Sequence, residues 1–249
     1  MNVQPAVGEA EIAQLVMIRS LVTLMVCVAA VTAATPVQAG SCRPEGSESF
    51  LCGEGKEALR VFADTVSPSK KFAFAWRSST GLLQRDGLPG GDIENHLVRL
   101  EDGRVLARLG GQYWDTGESR ANRYELSAIW SADSRTVVEI ANNRWDTESL
   151  ACYRIGESEA GVVDLLLLIG PMLRAKLPAA RRDSYSLRVR SDLPVRLDAK
   201  GRLQFLAVLY VPKSESELAF RVDMAIGTTG SRPTARVVSV QRTKIDPRL

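Results

Sequence analysis

Few side chains in this 249-residue chain could carry out chemistry together. His96 is the only histidine, so the sequence cannot build a two-histidine metal site or an HExxH motif. A Ser-His-Asp triad would depend on that single histidine, and no Gly-x-Ser-x-Gly nucleophile elbow accompanies it. Walker-type and dinucleotide-binding glycine patterns are also missing from the sequence. We therefore expect no metal and no cofactor, and we interpret His96 as the start of a strand beside a loop at 92–95.

Paired carboxylates are the remaining catalytic option. Asp92 and Glu94 would project to the same side of an extended segment, and two such groups can divide acid and base work on a glycosidic bond. The pair predicts an envelope-polymer hydrolase as the alternative function, although a chain with 29 acidic residues contains many such pairs by chance.

A Trp-Asp-Thr motif occurs twice and supplies the candidate ligand-binding residues. The two copies place Trp114 beside Asp115 and Trp145 beside Asp146. An exposed tryptophan next to polar groups can stack on a sugar or a peptide. In the other interpretation, the tryptophan ends a strand in the core while Asp and Thr hydrogen-bond the following turn.

The first 39 residues predict a signal peptide. An apolar run at 21–31 follows Arg19, and Pro36 precedes the small residues around Ala39, which is the order of a secretory signal. We expect cleavage after Ala39 and a periplasmic or secreted domain at 40–249.

Alternatives to this signal peptide exist at its start and within its apolar run. Met17 is an alternative start, since Glu9 and Glu11 place acid where export signals carry cations. A transmembrane anchor would need an apolar run of roughly 20 residues, and a lipidated Cys27 would need a small residue where Val26 stands.

Cleavage would leave three cysteines in an oxidising compartment, where a disulfide persists. Cys42 and Cys52 flank a short polar loop, so we predict that they pair and clip the mature N-terminus. Cys152 alternates with apolar neighbours and is expected to be a buried small hydrophobe, with pairing to either of the other two left as the alternative.

The mature chain contains three similar segments whose starts lie about 65 residues apart. Each begins with a polar turn whose fifth residue is basic and continues as a strand with period-two alternation. We therefore predict a mainly β fold made of repeated antiparallel meanders. The segments are 67–76, 131–140 and 198–207, and further strands are predicted at 96–100, 105–109, 124–130, 150–155, 184–190, 219–226 and 236–241.

The polar turns resemble a known family of repeats. Residues 67–74, Ser67 to Phe74, and residues 130–135, Trp130 to Arg135, are similar to the W-S-P-D-G-K turn of WD-repeat and TolB-like β-propeller blades. The resemblance covers under a fifth of the mature chain. It implies a propeller-like arrangement, but three units do not close a ring that usually needs four or more blades, so we expect an incomplete or open stack.

One segment, residues 161–177, departs from the β pattern. Its leucine-rich, unalternating sequence predicts an inserted helix that Pro171 breaks or kinks. We expect the helix to pack on a sheet; the alternative is a helix that docks on a partner or on a membrane surface, aided by Arg174 and Lys176.

Composition narrows the function classes without naming one. The chain has 45% hydrophobic residues, 24% charged residues and a net charge of +3, as expected of a globular protein. Interspersed charges argue against a nucleic-acid surface. We predict a non-enzymatic extracytoplasmic binding or protein-interaction module, with an envelope protein or glycan as its partner and no membrane span after signal cleavage.

Overall fold

The computed structural model describes residues 42–45, 49–81, 89, 91–116, 119–178, 185–210 and 217–244. The predicted signal peptide at 1–39 and its cleavage site after Ala39 lie outside the described residues. Within these ranges, no helix is long and apolar enough to cross a membrane.

The first sheet contains six antiparallel strands that pair in chain order. Two 3₁₀ turns, Gly55–Glu57 and Ala63–Thr65, flank its third strand. The strands are β1 (Cys42–Glu45), β2 (Ser49–Cys52), β3 (Leu59–Val61), β4 (Phe72–Ser78), β5 (Ile93–Arg99) and β6 (Arg104–Arg108).

The second and third sheets are also antiparallel, so the prediction of a mainly β fold built from meanders is confirmed. The second sheet contains β7 (Glu125–Trp130), β8 (Thr136–Asn142), β9 (Thr147–Ile155) and β10 (Ala160–Asp164) in sequential order. The third has the order β11-β13-β14-β15, with β12 also paired to β13. Its strands are β11 (Ser186–Val189), β12 (Arg196–Leu197), β13 (Arg202–Tyr210), β14 (Glu217–Gly227) and β15 (Thr234–Thr243).

Strand β8 joins the cores on both sides of the second sheet. Val137 and Ala141 belong to a cluster with Phe74 of the first sheet, whereas Val138 and Ile140 belong to a cluster with side chains of the third sheet. Since successive strand residues point to opposite faces, the second sheet packs between the other two. This position explains why all seven residues of β8 are buried.

The three polar turns that precede β4, β8 and β13 have the same hydrogen bond. In each turn the backbone N–H of the fourth residue donates to the carbonyl of the first, and the fourth residue has a positive φ. The donor and acceptor pairs are Lys70 and Ser67 at 2.9 Å, Ser134 and Ser131 at 2.9 Å, and Gly201 and Asp198 at 3.0 Å.

The helical segment is shorter than the sequence predicted. Residues 160–164 form β10 instead, because this segment pairs with β9 and alternates in exposure like a strand. Helix α1 spans Leu166–Ala175, and Asp164 Oδ1 accepts a hydrogen bond of 3.0 Å from Leu167 N at its start. Pro171 lies inside the helix without ending it, and it faces solvent, away from the packed core.

The hairpin between β5 and β6 turns at an Asp-Gly pair, Asp102 and Gly103. Such a pair is typical of a type I′ turn, which needs positive φ at both central residues. Gly103 has a φ of 67°, but Asp102 is not among the residues with positive φ. Instead, Asp102 Oδ1 accepts from Arg104 N at 3.2 Å within a longer turn.

The predicted disulfide is present. Cys42 and Cys52 are bonded and lie opposite each other in β1 and β2. Cys152 is a free, buried thiol in β9, and burial raises its pKa to about 12. A thiol with so high a pKa is protonated and unreactive at neutral pH.

Candidate functional site

Most candidate residues lie at one end of the sheets, opposite the polar turns. The turns before β4 and β8 touch, since Ser69 N donates to Ser134 Oγ at 3.0 Å. Both strands therefore run away from that point, and the end of β8 contacts the third sheet because Asn142 Nδ2 donates to Val189 O at 3.0 Å. We call this end the rim; Ser78 and Asn142, the last residues of β4 and β8, mark it.

Trp114 and Asp115 lie in the connection between β6 and β7, against the first sheet. Trp114 is half-buried and packs on the core between the first and second sheets, and its carbonyl accepts from Ala121 N at 3.0 Å. The carbonyl of Asp115 accepts from Trp76 Nε1 at 3.1 Å. Here the indole ring of Trp114 contributes to packing.

Trp145 and Asp146 lie in the turn between β8 and β9. Asn143 Oδ1 accepts from Trp145 N at 2.7 Å and from Asp146 N at 2.8 Å, which fixes the turn. The indole of Trp145 is 39% exposed, and the Arg144 guanidinium lies 4.4 Å from its ring centre. A cation over an exposed indole is a cation–π contact, and Trp145 is the more accessible tryptophan of the two.

The two Trp-Asp pairs share the rim but not their surroundings. Trp114 contacts the core between the first and second sheets, whereas Trp145 sits in a hairpin turn beside Arg144. Nothing in the contacts of the described residues joins them into one pocket, so any binding role would belong to each pair separately.

Two buried asparagines hold the backbone of neighbouring segments at the rim. Asn95 donates through Nδ2 to the Tyr113 carbonyl and accepts from Tyr113 N through Oδ1, both at 2.6 Å. In the second sheet, Asn142 Nδ2 donates to the Val189 carbonyl, and Thr147 Oγ1 accepts from Val189 N at 2.7 Å. Each clamp satisfies backbone groups that have no strand partner on that side.

The carboxylate pair proposed for hydrolysis is arranged poorly for acid–base work. Glu94 accepts from Arg77 Nε at 2.9 Å, and Arg108 Nη1 lies 3.4 Å from its other oxygen. The hydrogen bond from Arg77 lowers the pKa of Glu94, which favours the ionised form. A glycosidase acid needs a raised pKa, so Glu94 is held in the wrong state for that role.

Asp92 makes its contacts through the backbone. Its N–H donates to Ser79 Oγ at 3.1 Å, and its carbonyl accepts from Ser79 N at 2.8 Å. The segment predicted to be a loop at 92–95 belongs largely to β5, which begins at Ile93.

His96 lies in the middle of β5 rather than at a strand start. It is 5% exposed, and neither ring nitrogen makes a hydrogen bond within the described part of the chain. The carboxylate oxygen Oε2 of Glu94 lies 3.5 Å from His96 Nε2. Burial, together with the positive charge of Arg77, lowers its pKa to about 4, so the imidazole is neutral at pH 7.

Glu139 is a buried ionisable residue that sequence reasoning missed. It lies at the centre of β8, facing the first sheet, and is fully buried. Oε1 accepts from Gly111 N at 2.9 Å, and Oε2 accepts from Tyr153 Oη at 2.8 Å and Ser149 Oγ at 3.0 Å. Burial raises its pKa. Because no substrate can reach it, we interpret Glu139 as a structural link between layers.

The sequence does contain a signal for this buried carboxylate. Glu139 interrupts the apolar strand at 136–142, and a Gly-Gly pair at 110–111 precedes it in the chain. A Cβ atom on Gly111 would lie 2.5 Å from the Cβ of Ala141, so only glycine allows this close approach. Only the fold reveals that the two features meet.

Metal binding receives no support from the described residues. No group of three or more His, Cys, Asp and Glu side chains among them could hold an ion.

No protein-family model matches the chain, and no curated protein matches it. The function must therefore be inferred from the geometry of this chain alone.

Proposed function

We propose that this chain is a non-enzymatic binding module that works outside the cytoplasm and docks a partner protein on helix α1. The observation that carries the proposal is the composition of the solvent face of α1. Leu167 is 73% exposed and Met172 is 43% exposed, and Pro171 and Ala175 are exposed beside them. A surface helix normally exposes polar residues to water. This exposed apolar face therefore indicates a surface that is buried when a partner binds.

Docking of a protein suits the size and shape of this face. The opposite side of α1 packs into the core through Ile169 and Leu173, so the helix is held rigidly. Leu168, Pro171 and Met172 are exposed at i, i+3 and i+4 positions beside Leu167, which matches the pattern by which amphipathic helices fill a partner's groove. Methionine adapts its shape to varied partners. Arg174 adds a positive charge that could pair with acidic residues at the edge of the partner's groove.

An extracytoplasmic location is the second element of the proposal. A disulfide between Cys42 and Cys52 is compatible with an oxidising compartment, where such bonds persist. The signal-like sequence at 1–39 agrees with export. We take the compartment to be the periplasm or the exterior.

The proposal also covers the relationship among the sheets. We infer that the three meanders are propeller-like units in an open stack. Support comes from the hydrogen bond shared by the three polar turns and from the contact of the first two turns between Ser69 and Ser134. A propeller-like scaffold would not determine function, so the binding proposal depends on α1.

The test places a photo-crosslinking benzoylphenylalanine at position 167 in living cells. The matched control carries the same group at Lys200, an exposed residue of the turn before β13. We expect a defined protein adduct from position 167 and none from position 200. The purified partner should then bind the wild type about tenfold or more tightly than a Leu167→Ser, Met172→Ser variant, since anchor side chains contribute most of such binding energy.

Three results would contradict this function. They are equal adducts from both positions, no loss of affinity in the double variant, and turnover of an envelope polymer that needs Asp92 and Glu94. Sedimentation of the wild type with anionic vesicles, abolished by the same double variant, would instead assign the face to a membrane surface. Because Leu167 and Met172 are exposed, the double variant should fold normally.

A further inference from the structure

The third sheet carries a concentration of positive charge that the whole-chain composition hides. Residues 185–244 contain eleven Lys and Arg residues and five Asp and Glu residues, whereas the whole chain has a net charge of only +3. The strand register decides which of these charges share a face.

The register places cations from separate strands on the outer face of the third sheet. Phe205 belongs to the core, so its neighbours Gln204 and Leu206 point outward. Arg196 of β12 lies opposite Gln204, and Arg221 of β14 lies opposite Leu206. Arg196 and Arg221 therefore flank the same outward-facing part of β13.

The acidic residue on this face is already neutralised. Asp223 Oδ1 lies 3.2 Å from Arg202 Nη2 and also accepts from Gln204 Nε2, while Oδ2 accepts from Ser239 Oγ at 2.8 Å. Neither Arg196 nor Arg221 makes an ion pair with any described residue, and the same holds for Lys244. These three cations remain available to an external anion.

The same three cations line one cavity. It has a volume of about 260 Å³ and a floor that includes Leu206, with Leu193 and Pro194 at its wall. A second cavity of about 630 Å³ shares Lys244 and Thr243 with it and extends past Arg242 to Glu217. The volume of the first cavity is slightly below the roughly 300 to 1,000 Å³ of small-molecule pockets. This cavity therefore suits one unit of a longer ligand that continues into the second cavity.

We propose that this groove binds an anionic glycan, with a carboxylate or phosphate group held between Arg196, Arg221 and Lys244. Guanidinium groups match the geometry of both anions and bind them through paired hydrogen bonds. The Gln204 side chain is an amide that can also hydrogen-bond hydroxyl groups, and the apolar wall suits the C–H face of a sugar ring.

The groove is distinct from the face of α1, so this proposal goes beyond the proposed function. A bilayer surface is a poorer fit, because lipid-binding surfaces combine basic residues with large exposed apolar side chains. In this cavity Leu206 is half-buried and Phe205 is buried.

The test measures binding of polygalacturonate to the purified protein by titration calorimetry. Neutral dextran is the ligand control, and inorganic phosphate tests whether the charge alone suffices. We expect polygalacturonate to bind with an affinity that falls as salt rises, and dextran not to bind. An Arg196→Gln, Arg221→Gln variant should bind about tenfold or more weakly, the loss expected for one charge-assisted hydrogen bond or more.

The matched control is Arg236→Gln, which removes an exposed cation of β15 that lies outside both cavities. It should change the affinity by less than about twofold. An equal loss in this control would show diffuse attraction, and absence of polygalacturonate binding would overturn the proposal. Binding of phosphatidylglycerol vesicles that needs Arg196 and Arg221, without binding of polygalacturonate, would assign the site to a membrane. Retained glycan binding in the Leu167→Ser, Met172→Ser variant would separate this site from α1.

Discussion

Charged residues have different surroundings in two regions of the molecule. One region is the interior between the first and second sheets, and the other is the outer face of the third sheet. Inside, the carboxylate of Glu139 accepts hydrogen bonds from Tyr153, Ser149 and backbone N–H groups, and it makes no ion pair with a described residue. On the outer face, Arg196 and Arg221 share a cavity whose described lining residues include no acid. Buried charge that is fully hydrogen-bonded serves the fold, whereas exposed charge without an ion pair is available for a ligand.

The largest expected effect is the loss of the Glu139 carboxylate. Glu139→Ala leaves several buried donors without an acceptor and opens a cavity, so we expect a loss of about 3–5 kcal/mol in the free energy of unfolding. Urea unfolding followed by far-UV circular dichroism measures it. Glu159→Ala, at an exposed glutamate, is the control and should change stability by less than about 0.5 kcal/mol. Equal effects would refute the structural role of Glu139.

His96 sharpens the comparison, because it is a buried polar residue whose ring nitrogens make no hydrogen bond with the described residues. Its pKa of about 4 in the fold lies below the ordinary value of 6.5. Between these values the unfolded chain binds the proton more readily, so stability falls as the pH falls from 6.5 to 4. The loss should approach about 3 kcal/mol, at 1.36 kcal/mol per pKa unit.

The measurement compares the pH dependence of unfolding in the wild type and in His96→Phe. This variant keeps the ring volume and cannot take up a proton, so its stability should fall less on acidification. Glu139, whose pKa burial raises, acts in the opposite direction: its contribution falls as the pH rises above its unfolded value. That contribution is present in both proteins and cancels in the difference. Parallel pH curves would show that His96 already carries its ordinary pKa.

A smaller effect is expected at the clamp between the second and third sheets. Asn142 and Thr147 hold the two backbone groups of Val189, and Thr147 Oγ1 also donates to Asn142 Oδ1 at 2.6 Å. Asn142→Ala should cost about 2 kcal/mol in unfolding free energy. A double-mutant cycle with Thr147→Val should give a coupling of about 0.5–3 kcal/mol, whereas strictly additive effects would argue against a shared network.

Much of the fold follows from local sequence patterns. Period-two alternation predicts β4, β8 and β13, and the polar turns before them mark where these strands begin. The spacing of Cys42 and Cys52 predicts the disulfide. These features depend on residues close together in the chain, which is why the sequence alone contains them.

The features that require distant residues were missed. Val162 and Val163 merge with the leucine run that follows, so the pattern does not separate β10 from α1. The cavity on the third sheet joins Arg196, Arg221 and Lys244, which only the strand register brings together. Positive and negative charges are interspersed along the sequence, so the sequence alone does not show that positive charges gather on one face of the third sheet.

The smallest change in stability is expected on the outer face of the third sheet, where the arginines are exposed. Arg196→Gln with Arg221→Gln removes two exposed cations that make no ion pair with described residues, so the unfolding free energy should change by less than about 0.5 kcal/mol. Any change should be a gain at low salt, because like charges on one face repel each other, and 0.15 M salt should shrink it as the screening length falls to about 8 Å. Unfolding in urea at both salt concentrations measures this. A loss above about 1 kcal/mol would mean that these arginines support the fold in the way Glu139 does, and the outer face would then no longer differ from the interior.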